Sequence, residues 1–178
     1  MKPAVPAPGG RLRGSLRVFL LLVAACGAPE PQGAAAGGRE VAFVAIGGET
    51  FTLELALDPA TRQRGLSGRG AIPRHEGMLF VLPTPRPFAM VMRDCPAPID
   101  VAFLDADGRV VALHEMSVEP PRAPGETAGA YESRLPIYPS GEPVQFAIET
   151  SGGRLRALGL VPGARIPLDR ATLVRRAR

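Results

Sequence analysis

Lysine is almost absent from these 178 residues, and asparagine and tryptophan are missing altogether. The single lysine, Lys2, stands at the extreme N-terminus, so the body of the chain has no side-chain amine for a Schiff base. Nor does it have a lysine to complete a GxxxxGK[ST] phosphate loop. Histidine occurs only at 75 and 114 and cysteine only at 26 and 95, too sparse for a zinc site. Aromatic residues make up 5 % of the chain. Basic residues outnumber acidic ones 21 to 17, but Lys2, Arg11, Arg13 and Arg17 all precede Cys26 with no acid among them, and beyond that point the charges balance. A neutral body without interleaved basic and aromatic residues lacks the phosphate-neutralising surface that nucleic-acid binding requires. Nucleic acid is therefore not an expected partner. A long hydrophobic run is missing too. The apolar stretch from Val18 to Ala25 is less than half of the roughly 20 residues that cross a bilayer as a helix.

What is present begins with that leader. Basic residues, a short apolar run and small residues in succession predict an export signal over residues 1–25. Val23-Ala24-Ala25-Cys26 resembles the lipobox of bacterial lipoproteins, which implies a lipid on Cys26, cleavage before it, and a membrane as partner through that lipid. Gly27 rather than Asp after the cysteine resembles outer-membrane sorting more than inner-membrane retention. Residues 26–38 are the lipidated cysteine and a Gly/Ala/Pro tether with nothing to bury. The expected product is exported and anchored to the bacterial cell envelope, facing the periplasm.

Hydrophobic residues at 46 % and charged residues at 21 % suit one globular domain, placed at residues 39–168. Val41 to Ile46 and the alternating Phe51, Leu53, Leu55 and Leu57 predict a hairpin around Gly47-Gly48. Asp58-Pro59 and Gly65 bracket a short helix as N-cap, first-turn proline and terminator. Further strands are expected at 77–82, 88–92, 99–104, 109–116 and 144–149 and near Ile166, with a short helix at 154–158. Residues 117–135 have no usable period and read as a long loop, and the arginine-rich 169–178 as a frayed basic tail. Strands with short helices and no βαβ alternation predict an α+β class. The expectation is a mostly antiparallel β-sheet or partly closed barrel with one or two short helices.

Several separated motifs carry a family resemblance. Arg62-Gln63-Arg64-Gly65-Leu66 with Arg69, Gly77-Met78-Leu79-Phe80-Val81, Met92-Arg93-Asp94-Cys95 with Pro98-Ile99-Asp100-Val101, and Tyr138 to Glu149 together resemble the bacterial and archaeal family called domain of unknown function 192. The resemblance implies a small exported or membrane-tethered domain and assigns no activity. Where the family commonly has Phe-Trp-Met-Lys-Asn-Thr, this chain has Met90-Val91-Met92-Arg93-Asp94-Cys95 and so lacks the aromatic pair and the Asn-Thr polar groups.

The candidate ligand-binding residues are Arg64, Arg69, Arg93, Asp94, Asp100 and Glu149. Asp100 stands directly before the apolar run Val101 to Leu104, and a carboxylate entering a core strand must be paired, hydrogen-bonded or functional. It is expected to salt-bridge one of the three motif arginines or to cap backbone. The same guanidiniums suit bidentate binding of a small anion or sugar acid. Glu149 falls on the strand face opposite to Phe146 and Ile148. With Asp94 or Asp100 it supplies the alternative reading, a glycan hydrolase with paired carboxylates. Cys95 is read as an inert thiol, and His114-Glu115, on opposite faces of one strand, cannot chelate one metal. No catalytic machinery, metal or cofactor is implied. The expected function is binding of a small polar or anionic ligand or an envelope partner, with a structural envelope-assembly role as a third possibility.

Overall fold

The computed structural model describes residues 39–178. The export signal, Cys26 and the tether lie outside the described residues. Twelve elements follow in chain order: β1 (Val41–Ile46), β2 (Glu49–Ala56), α1 (Pro59–Arg64), β3 (Glu76–Arg86), β4 (Ala89–Met90), β5 (Ile99–Leu104), β6 (Val110–Met116), α2 (Ala128–Arg134), β7 (Tyr138–Pro139), β8 (Val144–Ser151), α3 (Arg154–Ala157) and α4 (Arg170–Arg176). Six strands form one sheet in the order β1-β2-β3-β8-β5-β6, while β4 and β7 pair separately. Every pairing is antiparallel except β2 with β3.

The sheet is open, not a barrel. Its central strands β5 and β8 are buried along almost their whole length, so both faces must be covered by other layers rather than by the sheet curling onto itself. One face packs Phe51, Leu79, Phe146 and Ile148 against Leu155 of α3, Ile166 and Leu173 of α4. The other packs Met78, Phe80, Val101 and Phe103 against Leu66, Met90, Met92 and Cys95.

Local chemistry sets most of the elements. Gly47 and Gly48 at φ 57° and 83° supply the left-handed pair that a tight hairpin between β1 and β2 needs. Asp58 caps α1 by accepting from the Thr61 amide at 2.9 Å, and Pro59 occupies its first turn. Arg154, buried at the start of α3, ties the sheet face together. It donates to the Arg74 carbonyl (3.1 Å), pairs with Glu49, and lies 5.4 Å from the Phe51 ring centroid.

Three expectations are corrected here. Within residues 117–135 there is a helix, α2, whose cap is Thr127 and whose buried Tyr131 anchors it. The basic tail is not frayed. Asp169 caps α4, Leu173 is only 5 % exposed, and the Arg178 amide donates to the Leu57 carbonyl at 2.7 Å. Its Arg-rich surface hides a one-residue apolar anchor, which periodicity cannot flag over so short a stretch. Near Ile166 there is no strand, only a bridge between Arg109 and Arg165.

Candidate functional site

The last part of β3 departs from regular pairing, and that helps build a cleft. Its register with β8 shifts between Val81 and Arg86, where Pro83 and Pro85 have no N–H to continue a ladder. The buried Gln145 amide donates to the freed carbonyls of Leu82 (3.0 Å) and Pro83 (3.3 Å), so the bulge leaves no polar debt. Past it Arg86 pairs again, with Val144, and Arg86 and Phe88 share a cleft with the C-terminal end of α1. Gly65 ends that helix at φ 53°, a conformation open to glycine, and lets Leu66 turn down into the core. Between them lies a cleft of about 580 Å³, with Phe80, Phe88 and Met90 as its apolar wall.

Glu149 forms part of the floor. On β8 it stands opposite Met78 of β3 and Val101 of β5, so the pleat directs it to their face of the sheet, beneath the cleft. It is 5 % exposed, and its Oε2 has no hydrogen-bond partner among the described residues. Burial pushes the carboxyl from an ordinary 4.5 up to about 7, offset in part by the Leu66 amide and the charge of Arg69.

The rim is cationic. Arg62, Arg64, Arg86 and Arg93 all line the cleft. Arg93 is neutralised by a bidentate pair with Glu132. Arg62 donates to the carbonyls of Val81 (3.0 Å) and Arg178 (2.6 Å), Arg64 reaches only the Thr61 hydroxyl at 3.5 Å, and Arg86 lies 6.0 Å from the Phe88 ring centroid. Arg62 is thus already held by main-chain oxygens, whereas Arg64 and Arg86 have no carboxylate within ion-pair distance among the described residues. Cys95 also lines the cleft, but its buried thiol is raised above the usual range by desolvation, and its Sγ donates to the Arg93 carbonyl at 3.3 Å. It is a poor nucleophile.

Of the six candidate residues, the structure gathers Arg64, Arg93 and Glu149 at this cleft. Asp94 lines a neighbouring hollow, held at φ 52° by Tyr131, whose hydroxyl donates to its Oδ1 at 3.2 Å and accepts from its amide at 3.0 Å. Arg69 is consumed in a bidentate pair with Glu54 at 2.7 and 2.6 Å. Asp100 lies away from all three arginines. Its two oxygens accept from the amides of Gly153 and Leu155, each at 2.8 Å, capping α3 from a different strand. Gly153 has no side chain to do this itself, which is why the cap comes from β5 and why the expected Asp100–arginine pair does not form.

The same geometry removes half of the paired-carboxylate reading. Asp100 pairs in register with Thr150, and Val101 with Glu149, so successive residues put Asp100 on the α3 face and Glu149 on the cleft face. Two carboxyls separated by a sheet cannot flank one glycosidic bond. The histidines serve packing and polar contacts. His114 Nε2 lies 2.8 Å from the Pro139 carbonyl and packs edgewise on Phe103 and Tyr138, while His75 contacts Glu49. No cluster with metal-ligand composition occurs among the described residues. Sequence reasoning missed Arg62 and Arg86 as rim residues. Arg62 shares the capped α1 segment with Arg64, a signal that was available, whereas Arg86 becomes relevant only through the bulge.

Two solved structures resemble this one. A candidate transcription regulator from Sinorhizobium meliloti 1021 is 31 % identical, with a TM-score of 0.55 over 71 % of this chain and 90 % of its own. A protein of unknown function from Novosphingobium aromaticivorans DSM 12444 is 24 % identical and shares the fold, with a TM-score of 0.61 over 76 % of this chain and 90 % of its own. No curated protein matches the chain. The family model of domain of unknown function 192, described as an uncharacterized ACR, matches residues 42–168, nearly the whole of the sheet and its covering layers except α4. The chain belongs to the family of domain of unknown function 192.

Proposed function

We propose that this domain binds a small organic anion in the cleft between α1 and the bulged end of β3, and does so outside the cytoplasm, held to the bacterial envelope by a lipid on Cys26. The observation that carries the binding reading is the convergence of Arg64 and Arg86, without carboxylate partners among the described residues, and of Arg62 beside them, on a cleft whose wall is apolar. Neighbouring unpaired guanidiniums repel, and an anion that accepts their hydrogen bonds relieves the repulsion. The apolar wall strengthens those bonds by lowering the local dielectric. The envelope location rests on the leader and the Val23-Ala24-Ala25-Cys26 motif.

The description of the S. meliloti protein as a candidate transcription regulator is not extended to this chain. Each described helix has seven residues or fewer, short of the paired helices that place a recognition helix in a DNA groove.

Titration calorimetry against a panel of small carboxylates and phosphates tests the cleft. The wild-type protein is expected to bind at least one of them, and Arg64→Ala with Arg86→Ala to weaken that binding at least tenfold, since a hydrogen bond to a charged group contributes about 1.5–3 kcal/mol. A panel without a binder, or binding indifferent to the double substitution, refutes the reading. The anchor is tested separately by Cys26→Ser and membrane fractionation. Unchanged membrane retention with no lost acyl mass would refute the lipid.

A further inference from the structure

The floor of the cleft holds a second recognition element beneath its arginines. Glu149 is 5 % exposed with an Oε2 that no group among the described residues satisfies. A buried oxygen left without a partner carries an uncompensated desolvation cost. Replacing Glu149 by an apolar side chain would remove that cost, at the loss of its contact with the Leu66 amide. The carboxyl borders the cleft, and the chain passing over it adds no side chain. A β-carbon at position 65 would stand 3.3 Å from Oε2 and 3.4 Å from the Phe80 ring, and Gly65 has none. Beside the carboxyl lie the rings of Phe80 and Phe88, 6.5 Å apart and tilted by 52°, both part of the cleft wall.

We propose that the anion held in this cleft is hydroxylated, a sugar acid or sugar phosphate, with a ring hydroxyl hydrogen-bonded to the Glu149 carboxyl and the anionic group on the rim guanidiniums. This rests on the anion-binding reading of the cleft. Three alternatives for the group facing Glu149 fit less well. A second anionic group would be repelled whenever the carboxyl is ionised. An ammonium would meet the field of the rim guanidiniums on its way in. An apolar group would leave Oε2 unsatisfied. A hydroxyl both donates and accepts, so it pairs with the carboxyl in either protonation state, and the carboxyl occupies both near neutral pH. The C–H face of a sugar ring packs on Phe88, which is part-exposed, at the same time.

The test uses four probes of similar size on the full protein by titration calorimetry: D-glucuronate, glucose 6-phosphate, cyclohexanecarboxylate and D-glucose. At least one of the two hydroxylated anions is expected to bind tenfold or more tightly than cyclohexanecarboxylate and than glucose. Whether it is the carboxylate or the phosphate identifies the anionic group. Glu149→Leu is expected to bring that probe down to the affinity of cyclohexanecarboxylate. Glu149→Gln, which keeps an acceptor and the side-chain shape, is expected to retain part of the difference, and it serves in place of leucine if that variant does not melt cooperatively. Equal binding of glucuronate, glucose 6-phosphate and cyclohexanecarboxylate overturns the hydroxyl inference and leaves the anion-binding cleft standing. A preference that survives intact in both Glu149 variants overturns the role of Glu149, glucose binding as tightly as the anions overturns the role of the rim, and failure of every anion to bind overturns the cleft reading as well.

Discussion

Substituting Glu149 should change how stability depends on pH. In the unfolded chain its carboxyl titrates near 4.5, while in the folded protein it holds its proton up to about 7. Between those values the native state binds more protons than the unfolded state, so stability falls as pH rises, by about 1.4 kcal/mol per unit. The stabilisation is fully present below pH 4.5 and is lost once pH has passed about 7. The gap between the two values corresponds to about 3 kcal/mol. Other shifted carboxyls do not mimic this. Glu49, Glu54, Asp58, Glu126, Glu132 and Asp169 are held below their ordinary values by hydrogen bonds and arginines, and their contribution is lost only as pH falls toward and below those values. Asp100 is raised by burial, in the same direction as Glu149, but it is present in both proteins under comparison. The charged and titratable neighbours of Glu149, Arg69 and the Cys95 thiol, also stay constant. Urea midpoints of the wild-type protein and Glu149→Gln, taken from pH 4.5 to 8, give the difference directly. The Gln variant should gain on the wild type steadily across this range, reaching up to about 3 kcal/mol relative to their difference at pH 4.5. Parallel curves would show that Glu149 titrates as an ordinary exposed glutamate, and the account of the cleft floor would fail with it.

Asp100→Ala should cost about 2–4 kcal/mol, because the amides of Gly153 and Leu155 lose their acceptor in a buried setting. Combined with Arg93→Ala it should be additive to within about 0.5 kcal/mol in denaturant midpoints, as the two share no partner, and a coupling above about 1 kcal/mol would contradict the observed cap. Leu173→Ala should destabilise by about 2–3 kcal/mol, since the side chain belongs to the same core as Leu79 and Phe146. A loss under about 0.5 kcal/mol would mean that α4 is detached in solution.

Much of the architecture is written in short-range chemistry. The hairpin at Gly47-Gly48, the Asp58 cap with Pro59 and Gly65, and the hairpin of β5 and β6 each depend on residues close together in the chain, and each stands where local rules put it. The family motifs and the face assignment of Glu149 were equally legible, the latter because strand alternation has a strict period of two. Partnering across the molecule was not. Asp100 became the cap of α3 because β8 and its C-terminal turn lie beside β5, an adjacency that appears only when the sheet orders its strands β3-β8-β5. Arg69 and Arg93 were withdrawn from the rim by Glu54 and Glu132, 15 and 39 residues away in sequence. Arg86 reached it through a bulge that Gln145 makes tolerable from a distant strand. Tight turns and caps such as that of Asp58 on α1 form between neighbours along the chain, so composition and spacing determine them. Whether a given guanidinium or carboxyl is paired, buried or left facing a cleft depends on long-range packing, and only the tertiary structure decided it.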